Sequence, residues 1–249
     1  MLAPLQGKEI LITREKSQSK VFAELVIAQG GIPIEIPLLN IECRNFAEKL
    51  LLPDYQWIIF TSANGVHCFF KELKEKLHKP AQFAVVGHKT EKALLQYGVS
   101  ANFIPSVYNA EVMAAEFLQQ MITNGPILIV KGSKSREVLQ EAFRKNKIMF
   151  EEVVTYETMA NRNAEGLLSS YFKQNYPDFI TFTSPSTVET FMEMTSEKHV
   201  WHALEIPCMC IGTTTEARAK EFGFLNTLIP NQFTIEGMVD SMVHRREDR

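Results

Sequence analysis

The chain has 249 residues, 45% hydrophobic and 22% charged, with a formal net charge of −3 at pH 7. That length fits one large domain or two of ordinary size, with apolar material for a packed core in each. The negative balance argues against broad nucleic-acid binding, and no window approaches the roughly 20 apolar residues of a membrane helix. MLAPLQGKEILITRE lacks the basic-then-apolar order of a signal peptide, so a cytoplasmic protein is expected, with no nucleic-acid or membrane partner.

In chain order, KEILIT at 8–13 is apolar and β-prone, and the stretch 17–29 sets Val21, Phe22, Leu25 and Val26 on one helical face. Gly30-Gly31 stops that helix, and IPIEIPLLNIE at 32–42 reads as extended, with prolines at 33 and 37. Next come a strand at 57–60, helix 63–76, strand 82–86, helix 88–96 and a short strand near 102–104. Helix 110–122, strand 127–130, helix 135–145 and an extended run at 149–159 follow. After residue 160 the pattern resumes with helix 163–174, strand 178–182, helix 185–194, strand 207–211, helix 214–221, strand 225–229 and helix 234–244. Short strands alternating with helices imply α/β architecture, with parallel sheets flanked by helices in a flavodoxin- or Rossmann-like manner.

The chain also echoes itself. FTSANGV at 60–66 and FTSPSTV at 182–188 lie 122 positions apart, and VVGHKTEKAL at 85–94 and CIGTTTEARA at 210–219 lie 125 apart. ILITRE at 10–15 resembles ILIVKGSKSRE at 127–137, and GGIPIEIPLLNIE at 30–42 resembles NKIMFEEVVTYET at 146–158. A unit of that length is a domain rather than a solenoid repeat. The piece after 160 lacks an opening strand–helix pair, which the first 38 residues would supply. The expected layout is a discontinuous domain, 1–38 with 160–249, and an inserted similar domain, 44–150. Segments 39–43 and 151–159 would run side by side as a two-stranded linker.

The candidate chemistry lies at strand-to-helix turns. Ser62 and Ser184 suit N-caps, and Pro185 strengthens that reading at the second. Four such turns (61–64, 87–90, 183–186 and 212–215) recur at strand C-terminal ends, the edge where open α/β sheets bind ligands. Helix N-termini there offer N–H donors and positive dipole ends to anions. Arg14 and Lys131 close equivalent strands and read equally as anion ligands or surface cations. Arg136 reads as solvated, or paired with Glu137 or Gln140. Tyr156 lies in the second crossing segment, where it reads first as a packing tyrosine. A phenol with an ordinary pKa near 10 could also donate a proton at neutral pH.

No G-x-G-x-x-G follows the first strand, and P-loop and G-x-S-x-G motifs are missing. His67, His78, His88, His199, His202 and His244 show no ligand spacing and read as surface or packing residues. Cys43, Cys68, Cys208 and Cys210 form no C-x-x-C pair, so buried reduced thiols are expected rather than a zinc site. No metal or cofactor is called for.

Taken together, LITRE with GGIPIEIPLLNIE, the FTSANGV and FTSPSTV turns, VGHKT and IGTTT, and VVTYET resemble the uroporphyrinogen-III synthase family across almost the whole chain. The resemblance implies two α/β domains joined by a two-stranded ribbon, with a cofactor-free active site in the cleft between them. The implied substrate is hydroxymethylbilane, a linear tetrapyrrole with an acetate and a propionate on each ring. It would be cyclised with inversion of ring D through a spiro intermediate, in tetrapyrrole and haem biosynthesis. By motif, Ser62, Thr90, Ser184, Thr214 and Thr215 fall on the substrate-binding turns, with Arg14 and Lys131 as companion cations. Tyr156 matches the linker tyrosine expected to be catalytic. Thr213 replaces a proline frequent in that turn, and Lys131 stands where arginine is common.

Two lobes on a two-strand hinge also describe a small-anion binding or sensor module without catalysis. A phosphosugar isomerase would need a catalytic Glu or His within a turn motif, and His88 of the 87–90 turn reads instead as a surface or packing residue. A monomer is expected, and HRREDR at 244–249 reads as a solvated tail.

Overall fold

The computed structural model describes residues 3–46, 55–73, 81–120 and 125–244. The chain separates into two compact units, Met1–Asn40 with Met159–Arg249, and Ile41–Thr158. Its elements begin with β1 (Glu9–Ile12), α1 (Lys16–Ala28), β2 (Ile32–Glu35) and β3 (Leu39–Cys43). They continue with β4 (Trp57–Phe60), α2 (Ala63–Leu73), β5 (Gln82–Val85), α3 (His88–Leu95), α4 (Ala110–Gln120), β6 (Ile127–Gly132), α5 (Val138–Lys145) and β7 (Phe150–Ala160). The last third holds α6 (Asn163–Phe172), β8 (Phe179–Phe182), α7 (Pro185–Met194) and α8 (Glu197–Glu205). It ends with β9 (Cys208–Cys210), α9 (Thr213–Glu221), β10 (Thr227–Leu228) and α10 (Ile235–His244).

One sheet runs β10-β9-β8-β1-β2 and the other β3-β7-β6-β4-β5. An isolated parallel bridge from Phe103 to Ala84 extends the second sheet beyond β5. The echoes in the sequence fall on equivalent strands. Laying β6, β7, β4, β5 and Phe103 on β1, β2, β8, β9 and β10 reproduces the order, with β3 added at one edge. The register repeats as well: Ile10 lies opposite Phe179 as Ile127 lies opposite Trp57. Ile180 meets Cys208 as Ile58 meets Phe83.

One echo is corrected by a single residue. Aligned as sequence, Gly30 falls on Asn146, but the ladders pair Ile10 with Pro33 and Ile127 with Phe150, which moves Gly30 onto Lys147. Both carry left-handed backbone, φ 81° and 57°, ending the preceding helix in the same way.

All four residues of both WIIF and FITF are buried, as expected where helices cover both faces of a parallel sheet. In the first unit, α1 and α10 pack Phe22, Val26, Met238 and Met242 on one face. On the other face α6, α7 and α9 pack Leu168, Phe191 and Ala219. In the second unit α2 and α3 bring Phe69, Phe70 and Leu94 to one face, and α4 and α5 bring Phe117 and Phe143 to the other. A fully buried phenylalanine stabilises by about 1.5–3 kcal/mol. Phe60 meets Phe69 edge-on at 5.3 Å, and Phe182 meets Phe191 and Phe224 at 5.4 and 5.5 Å. These rings end the strands from which the two FTS turns leave, so each turn starts from a rigid base.

Several expectations change. Helix α8 was not expected. Helix α5 starts at Val138 rather than 135, because Ser135 closes a turn on Gly132 instead. The strand near 102–104 is reduced to the one bridge. Val21 is exposed, unlike Phe22 and Val26. Cys43 and Cys68 are not reduced thiols but form a disulfide between β3 and α2. Cys208 and Cys210 are buried free thiols on one sheet face with sulfurs 3.5 Å apart, and burial pushes the Cys208 thiol up. His199 is a packing histidine, its Nδ1 2.9 Å from the Tyr176 hydroxyl. Residues 74–76 and 121–122 of two expected helices, His78, and 245–249 of the tail lie outside the described residues. Among the described residues no helix is long and apolar enough to cross a membrane.

Candidate active site at the strand ends

In each unit two neighbouring strands send their helices to opposite faces, which opens a crevice at their C-terminal ends. In the second unit these strands are β4 and β6. Ser62 follows β4, and its Oγ accepts a hydrogen bond from the Gly65 N–H at 3.1 Å, capping α2. The same Oγ lies 2.9 Å from the Tyr156 hydroxyl. Tyr156 reaches it through an irregularity in the ladder. Lys131 pairs with Val154, but Gly132 pairs with Tyr156, so Thr155 is the extra residue of a bulge. Bulges re-aim side chains in this way. The phenol ring then lies on Gly132, where an added Cβ would meet its Cζ at 2.5 Å.

Lys131 does not join this group. It is buried, and its Nζ lies 3.3 Å from Glu152 Oε2, which also accepts from Gln140 Nε2 at 2.9 Å. The hydrogen bond from Gln140, with the Lys131 charge, holds the Glu152 carboxyl below its ordinary range against the cost of burial. Arg136 pairs with Glu111 at 2.7 Å rather than with Glu137 or Gln140. Thr90, in the first turn of α3, has a buried side chain, so what it presents outward is the helix start.

In the first unit the crevice strands are β1 and β8, cross-linked by Thr13 Oγ1 donating to the Thr181 carbonyl at 2.6 Å and Thr181 Oγ1 to the Leu11 carbonyl at 2.9 Å. Ser184 caps α7 in a capping box with Thr187: its Oγ accepts the Thr187 N–H at 3.2 Å, and Thr187 Oγ1 accepts the Ser184 N–H at 3.3 Å. Arg14, after β1, donates from Nε to Gln18 Oε1 at 3.1 Å. Burial lowers its pKa from the ordinary value, with Glu15 and Glu236 opposing. Thr214 is exposed and Thr215 buried at the start of α9.

The expected residues thus divide. Ser62 and Tyr156 are brought into direct contact, and Arg14 and Ser184 flank the other crevice. Lys131, Thr90 and Thr215 are held inward. Gly132 and Thr187 escaped the sequence reading. Lys-Gly at the end of ILIVKG, where the sister run ILITRE reads Arg-Glu, was a usable signal for Gly132. The equivalent of Tyr156 in the first unit is Leu39, so the donor-lined edge is made twice but the phenol only once. Among the described residues no group of three or more His, Cys, Asp or Glu is placed to hold a metal ion.

Comparison with known proteins gives the family and the fold. Residues 20–240 match the family model described as "Uroporphyrinogen-III synthase HemD". "Porphyrin biosynthesis protein HemD" of Ruminiclostridium josui is 30% identical over 98% of this chain, which spans only 49% of that protein. A putative uroporphyrinogen-III synthase of Methanocaldococcus jannaschii is 29% identical, covering 93% of this chain and 96% of that one. Among solved structures, uroporphyrinogen-III synthetase of Helicobacter pylori 26695 superposes with a TM-score of 0.65 at 16% identity, covering 98% of this chain and all of the other. A mutant uroporphyrinogen III synthase of Thermus thermophilus gives 0.63 at 15%, with the same coverage. At that identity the structures speak for the fold, while the family match covers most of the sequence. The chain belongs to the uroporphyrinogen-III synthase family.

Proposed function

We propose that this chain closes hydroxymethylbilane to uroporphyrinogen III, with Tyr156 as the proton donor. The observation that carries the assignment is the Ser62–Tyr156 pair at a strand C-terminal edge, 2.9 Å between oxygens, in a member of this family. Tyr156 would protonate the ring-A hydroxyl, which leaves as water while the pyrrole nitrogen supplies the electron pair. The substituted carbon of ring D attacks the resulting azafulvene to give a spiro centre, which fragments and recloses with ring D inverted. The proton lost when the last ring regains aromaticity returns to the phenolate, so no other reagent is consumed.

Pyrrole nitrogens already expel the hydroxyl, and general-acid help is worth about 10²–10⁴-fold. Holding the ring geometry is the larger task. The capped starts of α2 and α7 and the Arg14 guanidinium suit carboxylate arms, since a charge-assisted hydrogen bond is worth about 1.5–3 kcal/mol. Such local donors explain how a chain of net charge −3 would hold an octacarboxylate.

Supplying hydroxymethylbilane and resolving the product isomers tests the assignment. Isomer III is expected, and isomer I alone at the spontaneous rate would overturn it.

A further inference from the structure

Carboxylate donors grip the arms of a tetrapyrrole but leave its ring faces free to turn. Both units carry a feature that addresses those faces. IPSVYNAEVM at 104–113 and IPNQFTIEGM at 229–238 match at Ile, Pro, an aromatic residue, Glu and Met, 125 positions apart. Their backbones agree as well. The Asn109 N–H bonds the Val107 carbonyl at 2.8 Å, and the Thr234 N–H bonds the Gln232 carbonyl at 2.7 Å. Such a three-residue turn places its central residue at the tip. That residue is Tyr108 in one unit and Phe233 in the other. The next residue caps the following helix in both: Asn109 Oδ1 accepts the Val112 N–H, and Thr234 Oγ1 accepts the Gly237 N–H.

Each tip ring is mostly exposed, 61% for Tyr108 and 57% for Phe233. Each is seated on the glycine that opens the helix after the neighbouring strand of its sheet, β5 or β9: a Cβ on Gly87 would stand 3.2 Å from Tyr108, and one on Gly212 3.3 Å from Phe233. Neither glycine needs its conformational freedom, since φ is −170° and −173°. Proximity to the aromatic side chain accounts for both. The rings therefore lie at the C-terminal edge of each sheet, beside the helix starts, with apolar surface facing solvent. His88 stacks beside Tyr108, 6.1 Å away and 4° from parallel.

We propose that Tyr108 and Phe233 are matched ring platforms for an electron-rich heteroaromatic ligand, here the pyrroles of the substrate, and that they fix ring orientation while the Ser/Thr turns hold the carboxylates. The inference rests on the synthase reading above. Their exposure, hard to explain by packing alone, follows from that role, and so does the repetition of one aromatic per donor-lined edge.

The test is steady-state kinetics with hydroxymethylbilane and isomer analysis for wild type, Tyr108→Ala, Phe233→Ala, Tyr108→Phe and Phe233→Tyr. An aromatic contact is worth about two- to tenfold in affinity. Each alanine variant is expected to raise KM by roughly that factor and to increase the share of isomer I, with the aromatic replacements restoring both. The KM change should persist in high salt, which screens carboxylate contacts but not ring contacts. If an alanine variant fails to fold, Tyr108→Leu and Phe233→Leu, which keep apolar cover on the glycines, are read by the same criteria. Wild-type KM and isomer ratio in the folded non-aromatic variants, beside a wild type that makes isomer III, would overturn this inference and leave the synthase reading standing. A wild type that makes no isomer III removes both.

Discussion

The Tyr156 ring rests on the Cα of Gly132, its partner across the β6–β7 register shift. A methyl group there would lie 2.5 Å from Cζ and 2.8 Å from the hydroxyl oxygen, so the ring must move. Because Gly132 is the last residue of β6, the strain falls on the ring rather than on the buried body of the sheet. Gly132→Ala is expected to cut the rate of isomer III formation at least tenfold while costing about 1–3 kcal/mol of stability, an ordinary overpacking penalty. Rate and thermal midpoint, measured together, decide it: full activity in a folded variant would show that the phenol's position is immaterial.

The bond between Ser62 and Tyr156 makes a second expectation. Tyr156→Phe removes the proton and should lose about 10²-fold in isomer III formation without abolishing it. Ser62→Ala removes the phenol's partner and the cap of α2, costing about 1 kcal/mol of stability. If Ser62 acts by orienting the phenol, the double variant should be little slower than Tyr156→Phe alone. Fully multiplicative losses would assign Ser62 an independent contact with substrate.

Where the fold was legible, local signals agreed with tertiary packing. WIIF and FITF read as strands because both sheet faces are covered, and their FTS turns recurred because each leads from a buried strand into a helix. Helix α8 was hidden by its charged start and by His199, which supplies its inward face together with Ala203 and Leu204. A histidine on an apolar stripe obscures the period, and only the Tyr176 hydroxyl shows why it is tolerated. Site residues were legible as types, not as partners. Ser62 and Tyr156 are 94 positions apart, and the bulge that joins them leaves no mark in VVTYET. Lys131 looked like its counterpart Arg14, but its neighbour strand supplies Glu152, and that pairing draws it inward.

Two tyrosines should resist alkali. Burial pushes the Tyr171 phenol upward, and its hydrogen bond to Glu9 and that carboxylate's charge add to the shift. Burial and Glu151 act likewise on Tyr55. In the unfolded chain both ionise near pH 10. Below that pH both states keep the proton and the stabilisation is complete; above it the unfolded state sheds protons first, so stability falls as pH rises toward the folded values. Native protein at pH 11 should therefore show less phenolate absorbance than the same protein in denaturant. Tyr55→Phe and Tyr171→Phe together should remove most of that difference.

The disulfide from Cys43 to Cys68 ties the edge strand β3 to α2, the helix whose first turn is capped by Ser62. With a sequence separation of 25 between the cysteines, loss of chain entropy in the unfolded state is worth about 3.5 kcal/mol in the cross-linking model. Cys208 and Cys210, buried in β9, supply the two free thiols. Protein unfolded without reductant should then react with two equivalents of a thiol reagent, and with four after reduction. Cys43→Ser and Cys68→Ser should each lower the stability of oxidised protein toward that of the reduced wild type. Since β3 adjoins β7, which carries Tyr156, reduction would loosen two neighbours of the phenol. A moderate fall in the rate of isomer III formation is therefore expected alongside the fall in stability. Four reactive thiols without reductant would show that the bridge is not formed in solution, and the stability difference should then vanish with it.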